Sequence, residues 1–532
     1  MSDALEVAAS STGDTRNAYV VDAPIGVGVI VSDDLSPSFS DIRFRLHPGA
    51  FVHPGQFVVA RCIGADDAVA RILMRVLDVH ETNPHEDPQS STIRSVLTFD
   101  TTYASEGEST VIYRVARAEL VEEIGDRGAT EPRTLPLSGS PVAAADAETV
   151  ASALGLEAQS GTGIHVGALH SDPSVGIVLS RDVAQRHVGI FGGIGSGKSY
   201  TRGVLAEELH ALGSAQVNLD VQGEMIDAAD ELGGMTLRPG QGGFTVPLSS
   251  FTSKDVIEAA SAVRKNTNYE ALIEYAFEDL SDMVVRGDMS SFGVDELVRH
   301  IEKVAPRLNM DTPSTLRPAL RRSEALKHIE FLGPDFDWVP HLKPGGFLNI
   351  DCRGLSLNKL RIVAAAIARD LQSLSRQNKF DFVVYSIDEF HLVAPNDDRN
   401  VSTQVLRELA RIGRHHRIGL ILTTQSPADV DRSILKRLLT RFIHTLEPDQ
   451  LEALRGVFSD AAPETIKTLP KLPRGTCLLT GVTETIRHAA MVDVRSRLTT
   501  HGGATPPVWE RIAKAGWGDK RPIGNEPDSN RG

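Results

Sequence analysis

Between Gly192 and Ser199 the chain crowds four glycines, two serines and one lysine into the turn of His187–Thr201, HVGIFGGIGSGKSYT. Gly192, then four residues, then Gly197, Lys198 and Ser199 is the spacing of a phosphate loop that runs from a buried strand into a helix. Gly192, Gly193, Gly195 and Gly197 let the backbone turn tightly, so that its N–H groups, with those of Ser196, Lys198, Ser199 and Tyr200, close around phosphate oxygens. The N-terminus of the following helix adds a partial positive charge. Lys198 reaches the β and γ phosphates, and the Ser199 hydroxyl is a ligand for Mg²⁺. The pattern predicts binding of a nucleotide, with ATP and Mg²⁺ as the expected pair.

A second pattern, FVVYSIDEFH, delivers Asp388 and Glu389 at the C-terminal end of an apolar run. Open α/β sheets bind ligands at that edge. Asp388 is expected to hold Mg²⁺, directly or through water, and Glu389 to polarise the attacking water as general base. The pair predicts hydrolysis as well as binding. Gln425 ends the run IGLILTTQ, where its amide can sense the γ phosphate or orient the water. Just before that run, RELARIGRHHR carries Arg411 and Arg414, candidates for an arginine finger that reaches a neighbouring subunit's γ phosphate. In NLDVQGEMID, Asp220, Gln222 and Glu224 either assist metal and water positioning or form an ordinary polar loop.

These groups need elements to hold them. Apolar runs at 347–351, 382–388, 418–424 and 441–445 read as buried strands. Leu205, Leu209 and Leu212 form one helical stripe, ended by Gly213, and Leu360 through Leu374 form another. The alternation predicts an α/β fold with a RecA-like phosphate-loop core built on a parallel sheet covered on both faces. Before it, short alternating segments between turns such as Pro48-Gly49 and Pro54-Gly55 predict a small β-barrel. Consecutive helical patterns near 252–335, without a strand, predict a helical insertion. The expected organisation is a loose tail at 1–17, the barrel at 18–125 and a linker at 126–140. The core follows in two parts, 141–251 and 336–500, around the insertion at 252–335, and a partly disordered segment closes the chain at 501–532.

Composition narrows the class. A chain of 532 residues with 41% hydrophobic content has enough apolar surface for two or three domains. Three cysteines without close spacing exclude a disulfide framework and a cysteine-based zinc site. No apolar run is long enough to cross a membrane and the opening lacks a secretory pattern, so the expectation is a soluble cytoplasmic protein without a membrane partner. The formal charge of −15 argues against a surface that coats nucleic acid everywhere. Between Arg407 and Arg441, however, eight Lys or Arg stand against three acids, and Arg317, Arg321, Arg322 and Lys327 cluster in the insertion. Basic loops lining a pore grip phosphates without reading bases.

Taken together, the barrel, the Arg186-His187 pair entering GIFGGIGSGKS, LDVQGE, SIDEFH, LARIGRHHRIGLILTTQSPADVD and LPKLPRGTCLLTG resemble the HerA ATPases, motors of the HerA/FtsK branch of RecA-like enzymes. The resemblance spans roughly residues 20 to 495. Departures are Gly193-Ile194-Gly195 where members often carry Thr-Gly, and Met225 where they carry an aromatic residue. The resemblance implies a homohexamer that moves double-stranded DNA through its pore by hydrolysing ATP. It implies roles for Lys198, Ser199, Asp388, Glu389 and Gln425, with Arg414 as the finger in trans and Arg186 as a further nucleotide contact. The implied partners are a NurA-like nuclease, in DNA end processing, or a sirtuin-like or other effector, in antiviral defence. Two other classes stay open: a ring-forming scaffold that regulates an effector without translocation, and a conjugation or secretion motor.

Overall fold

The structure, a computed structural model, describes residues 26–502 except 33–36, 40, 64–68, 83–112, 126–127, 157–161, 241, 261–266, 290, 397–400, 414, 458–460 and 462. The expected tail at 1–17, all but two residues of 501–532, and Arg414 lie outside the described residues. The chain divides into two compact units. The first holds residues 1–216, 342–345 and 361–496, and the second 217–341, 346–360 and 497–532.

In the first unit, β1 (Gly26–Ile30), β2 (Ile42–Leu46), β3 (Phe57–Ile63), β4 (Val69–Thr82), β5 (Tyr113–Gly125) and β7 (Pro141–Ala144) form a barrel. Its order is β2-β1-β7-β3-β4-β5, and pairing of β2 with β5 closes it; β6 (Gly128–Thr130) extends β5. Alternation explains the closure, because every second residue of β2 (Ile42, Phe44, Leu46) is buried and points to one interior with Val58, Ala60, Ile72, Met74 and Ala118. The barrel therefore takes β7 from the stretch that the sequence assigns to the core. A closed sheet needs a partner for the free edges of β1 and β3, and Pro141–Ala144 pairs with both. Phe57, Val59, Leu73 and Val121 turn outward into the apolar cluster of the adjoining core, and Arg75 donates to the Ala489 carbonyl there.

The rest of this unit contains α1 (Ala147–Leu154), β8 (Ile164–Leu169), β9 (Asp172–Leu179), β10 (Val188–Phe191) and α2 (Lys198–Ala211). Its sheet runs β14 (Val383–Ile387), β15 (Ile418–Thr424), β10, β16 (Thr440–Ile443), β17 (Thr476–Gly481), β18 (Ala490–Val494), β8, β9. β14, β15, β10 and β16 are parallel, whereas β17, β18, β8 and β9 pair antiparallel. The expectation of a parallel sheet thus needs correction over the four strands β17, β18, β8 and β9. Completely buried runs such as TCLLTG have the same composition in either direction, and strand polarity is set by the connections rather than by periodicity.

The division between units falls within β11 (Ala215–Asp220). The second unit carries α3 (Ile226–Glu231), β12 (Met235–Leu237) and β13 (Phe347–Asp351), with β12 parallel to β13. Between these strands come α4 (Ser253–Ala260), α5 (Asn268–Arg286), α6 (Val294–Val304) and α7 (Pro313–Ala325), four helices where the sequence predicts a helical insertion. Leu297, Ile301 and Val304 make the buried stripe of α6, and Thr267 with Glu270 caps α5. Helix α8 (Leu357–Arg376) starts in this unit and returns to the first, which also carries α9 (Val401–Ile412), α10 (Arg432–Leu435), α11 (Pro448–Leu454) and α12 (Pro463–Thr468).

Candidate functional site

Strand β10 is buried along its whole length and delivers the glycine turn to the N-terminus of α2. Gly195 and Gly197 have φ of +72° and +117°, where a side chain would strain the backbone. A Cβ on Gly192 would fall 2.4 Å from Ser196 Oγ and 2.7 Å from His444 Cβ, so this glycine is required for space. The turn folds on its own carbonyl: Ser196 Oγ and Lys198 Nζ donate to the Gly193 oxygen at 2.8 Å and 3.1 Å. Lys198 is 8% exposed, so its ammonium lies under the loop rather than in bulk water. Ser199 and Tyr200 follow in the first turn of α2 and are half-buried.

Register carries the second pattern to the same edge. β15 lies between β10 and β14, with Phe191 opposite Thr424 and Ile387 opposite Leu422. Gln425 consequently emerges between the phosphate loop and the carboxylates. Asp388 Oδ1 accepts from the Glu389 N–H and from Thr423 Oγ1, both at 2.9 Å. Asp388 and Glu389 are 4% and 6% exposed, an environment in which fixed charges act through little solvent. Glu389 adopts φ 43° and ψ 51°, a left-handed backbone that costs roughly 1–3 kcal/mol for a residue with a side chain. Its Oε2 lies 3.3 Å from His391 Nδ1, which is itself 3.0 Å from Thr424 Oγ1. Burial lowers the pKa of His391; Asp429 opposes that shift and the Lys198 ammonium adds to it.

Three partners of this site were not read from the sequence. Arg202, one turn beyond Lys198 on α2, is 1% exposed; its Nε donates to Ser386 Oγ at 3.1 Å and its Nη1 lies 3.6 Å from Asp388 Oδ2. The signal was present, since Arg202, Leu205 and Leu209 share one helical face and an arginine on a buried stripe needs an acid. His444, directly after β16, is 0% exposed; its Nδ1 donates to the Thr476 carbonyl at 3.2 Å, which leaves Nε2 to accept from Thr201 Oγ1 at 2.9 Å. Burial pushes its pKa down to about 4, so the ring is neutral and fastens α2 to the end of β16. Thr423 fixes the Asp388 carboxylate from the neighbouring strand.

The remaining candidates lie elsewhere. Arg411, in the last turn of α9, is bound twice to Glu408, at 2.8 Å and 2.6 Å, with its side chain 57% exposed. Arg186 precedes β10 at the end of the strand opposite the phosphate loop, 3.8 Å from Glu484. Asp220 accepts from the N–H groups of Gly223, Glu224 and Met225 at 2.9, 3.1 and 3.0 Å, so its carboxylate shapes its own loop. The basic stretch is also less available than a count suggests. Arg407 pairs with Asp431 at 2.6 Å, Arg417 donates to the Ser375 carbonyl and to Asn378, and Arg441 is 5% exposed, its pKa lowered to about 10 by burial. Arg432, Lys436 and Arg437 remain exposed. In the insertion Arg322 lies over the Tyr269 ring and Lys327 pairs with Asp295.

A glycine turn ending in Lys198-Ser199, with Asp388-Glu389 across an intervening strand, defines a P-loop ATPase. Residues 164–371 match the family model described as helicase HerA, central domain. A DNA double-strand break repair helicase HerA from Sulfurisphaera tokodaii is 22% identical over 442 residues, covering 77% of this chain and 83% of that protein. A probable helicase from Methanocaldococcus jannaschii is 22% identical over 413 residues, covering 74% and 78%. Among solved structures, VirB4 of Thermoanaerobacter pseudethanolicus has a TM-score of 0.51 at 17% identity and covers 63% of this chain and 97% of that one, which shows a common fold. Among the described residues no helix is long and apolar enough to cross a membrane.

Proposed function

We propose that this chain is an ATP-driven, ring-forming translocase that acts on double-stranded DNA and works with a separate nuclease or effector. The observation that carries this reading is the buried Lys198, Asp388, Glu389 set in a chain whose relatives of matching extent include proteins named as DNA double-strand break repair helicases. In this reading Lys198 binds the β and γ phosphates, Glu389 activates water and Gln425 positions it. Ser199 and Asp388 hold Mg²⁺. The donor set suits that ion, since one hydroxyl and one carboxylate are hard oxygen ligands that would hold it together with substrate phosphates and water. Magnesium supplies neutralisation of charge on the transferring phosphoryl group. Arg411 or Arg414, and Arg186, act on the nucleotide of an adjoining copy, which makes a closed assembly, a hexamer in our reading, necessary for turnover.

ATP turnover on duplexes of increasing length tests the motor reading. A translocase is expected to hydrolyse ATP faster on longer duplexes until it reaches a plateau, and to lose the stimulation as salt rises. Turnover that ignores duplex length, alone and with each candidate partner, overturns translocation and leaves an ATP-dependent scaffold.

A further inference from the structure

The segment Leu472–Gly475, in LPKLPRGTCLLTG, is tied to the phosphate loop and carries a cation that nothing above uses. Gly475, at φ +83°, donates its N–H to the Ser196 carbonyl at 3.3 Å. Thr445 Oγ1 donates to the Leu472 carbonyl at 2.9 Å, and the Thr445 carbonyl accepts from the Gly193 N–H at 2.7 Å. Val494 N–H closes the other side on the Gly475 carbonyl at 2.9 Å. The segment is thus braced between the end of β16, β18 and the glycine turn. Arg474 sits at its tip. A Cβ built on Gly195 would lie 3.4 Å from Arg474 Nη2 and 3.8 Å from its Cζ, which puts the guanidinium beside the turn at Gly195. Arg474 is exposed, and among the described residues it makes no hydrogen bond or ion pair. Another arginine at the ATPase edge has a partner: Arg202 pairs with Asp388.

An unneutralised guanidinium held beside a phosphate loop faces the most highly charged group that this chain binds. Its planar fork of donors suits phosphate oxygens, and its charge remains at any physiological pH. We propose that Arg474 is a phosphate-contacting residue of the same chain's nucleotide site, closing over the phosphates of a bound nucleoside triphosphate. The proposal rests on the ATPase assignment and goes beyond it by adding a cation from the β16–β17 connection to those of α2. A polyphosphate contact is blind to the base, so Arg474 strengthens binding of ATP and GTP by the same factor and contributes far less to a monophosphate.

Direct binding of ATP, GTP and AMP to the full-length chain, with Mg²⁺ present, tests this in wild type, Arg474→Ala, Arg474→Lys and Arg474→Glu. Arg474→Ala is expected to weaken ATP and GTP equally, by about tenfold, equivalent to about 1.4 kcal/mol. Arg474→Glu is expected to weaken them further and Arg474→Lys to recover part of the loss, with AMP binding changed by less than about twofold. The exposed position predicts an unchanged thermal midpoint for all three variants, which separates loss of a contact from loss of fold. ATP binding by Arg474→Ala within about twofold of wild type overturns the assignment alone. A loss confined to one base overturns the phosphate contact in favour of a base contact. A wild-type chain that binds no triphosphate overturns the ATPase reading together with this one.

Discussion

Glu389 keeps a strained backbone next to a buried aspartate, and that conformation is held from several sides. Asp388 is fixed by Thr423 and faced by Arg202, while His391 meets the Glu389 carboxylate. A general base contributes roughly 10²–10⁴ in rate. Glu389→Gln keeps the shape and removes the basicity, so turnover is expected to fall by about that factor while ATP stays bound; an unchanged rate in single-turnover measurements contradicts the assigned base. At this scale the sequence was most legible where chemistry demands fixed spacing. Gly192, Lys198, Ser199, Asp388 and Glu389 could be placed because each must lie at a given offset from a strand end. The partners of Arg202 and His444 could not, because Ser386 and Thr201 lie 184 and 243 residues away in sequence. No local pattern encodes such distances.

Elements set the geometry through register. β15 had to fall between β10 and β14 for Gln425 to emerge between the lysine loop and the carboxylates, and the bounds of β13 and β15 coincide with the runs read from sequence. The four antiparallel strands of the sheet and the barrel's use of β7 were not legible, because burial and alternation constrain a strand's faces but not its direction or its neighbours. Helix α2 depends on neutral His444. With a folded-state pKa near 4 against an ordinary 6.5, the unfolded chain binds more protons in that window. The corresponding stability is full above pH 6.5 and is lost as pH falls toward 4, with a slope of up to ~1.4 kcal/mol per pH unit. Buried His187, also held near 4, adds in the same sense. The thermal midpoint of the wild type is therefore expected to fall between pH 7 and 4.5. His444→Gln should start lower at pH 7 and fall less steeply, whereas equal slopes would show that His444 does not titrate in this window.

At the scale of the whole chain, the barrel and the ATPase sheet share one apolar cluster, while the helical insertion belongs to the second unit. Charge counting along Arg407–Arg441 overstated the basic surface, since much of that excess meets internal partners; what a count cannot see is which acid or carbonyl the fold brings near. Arg186, at the strand end away from its own phosphate loop, makes sense if it serves another copy. The central claim is that the ATP site is completed by a neighbouring subunit. Mixing Arg414→Ala chains with Glu389→Gln chains, each inactive alone, tests it most directly. An interface holding a wild-type Glu389 from one chain and a wild-type Arg414 from the other is intact, so ATP hydrolysis is expected to recover and to peak at an intermediate ratio. Mixed assemblies that form, as confirmed by co-elution of differently tagged chains, yet stay inactive at every ratio contradict the account.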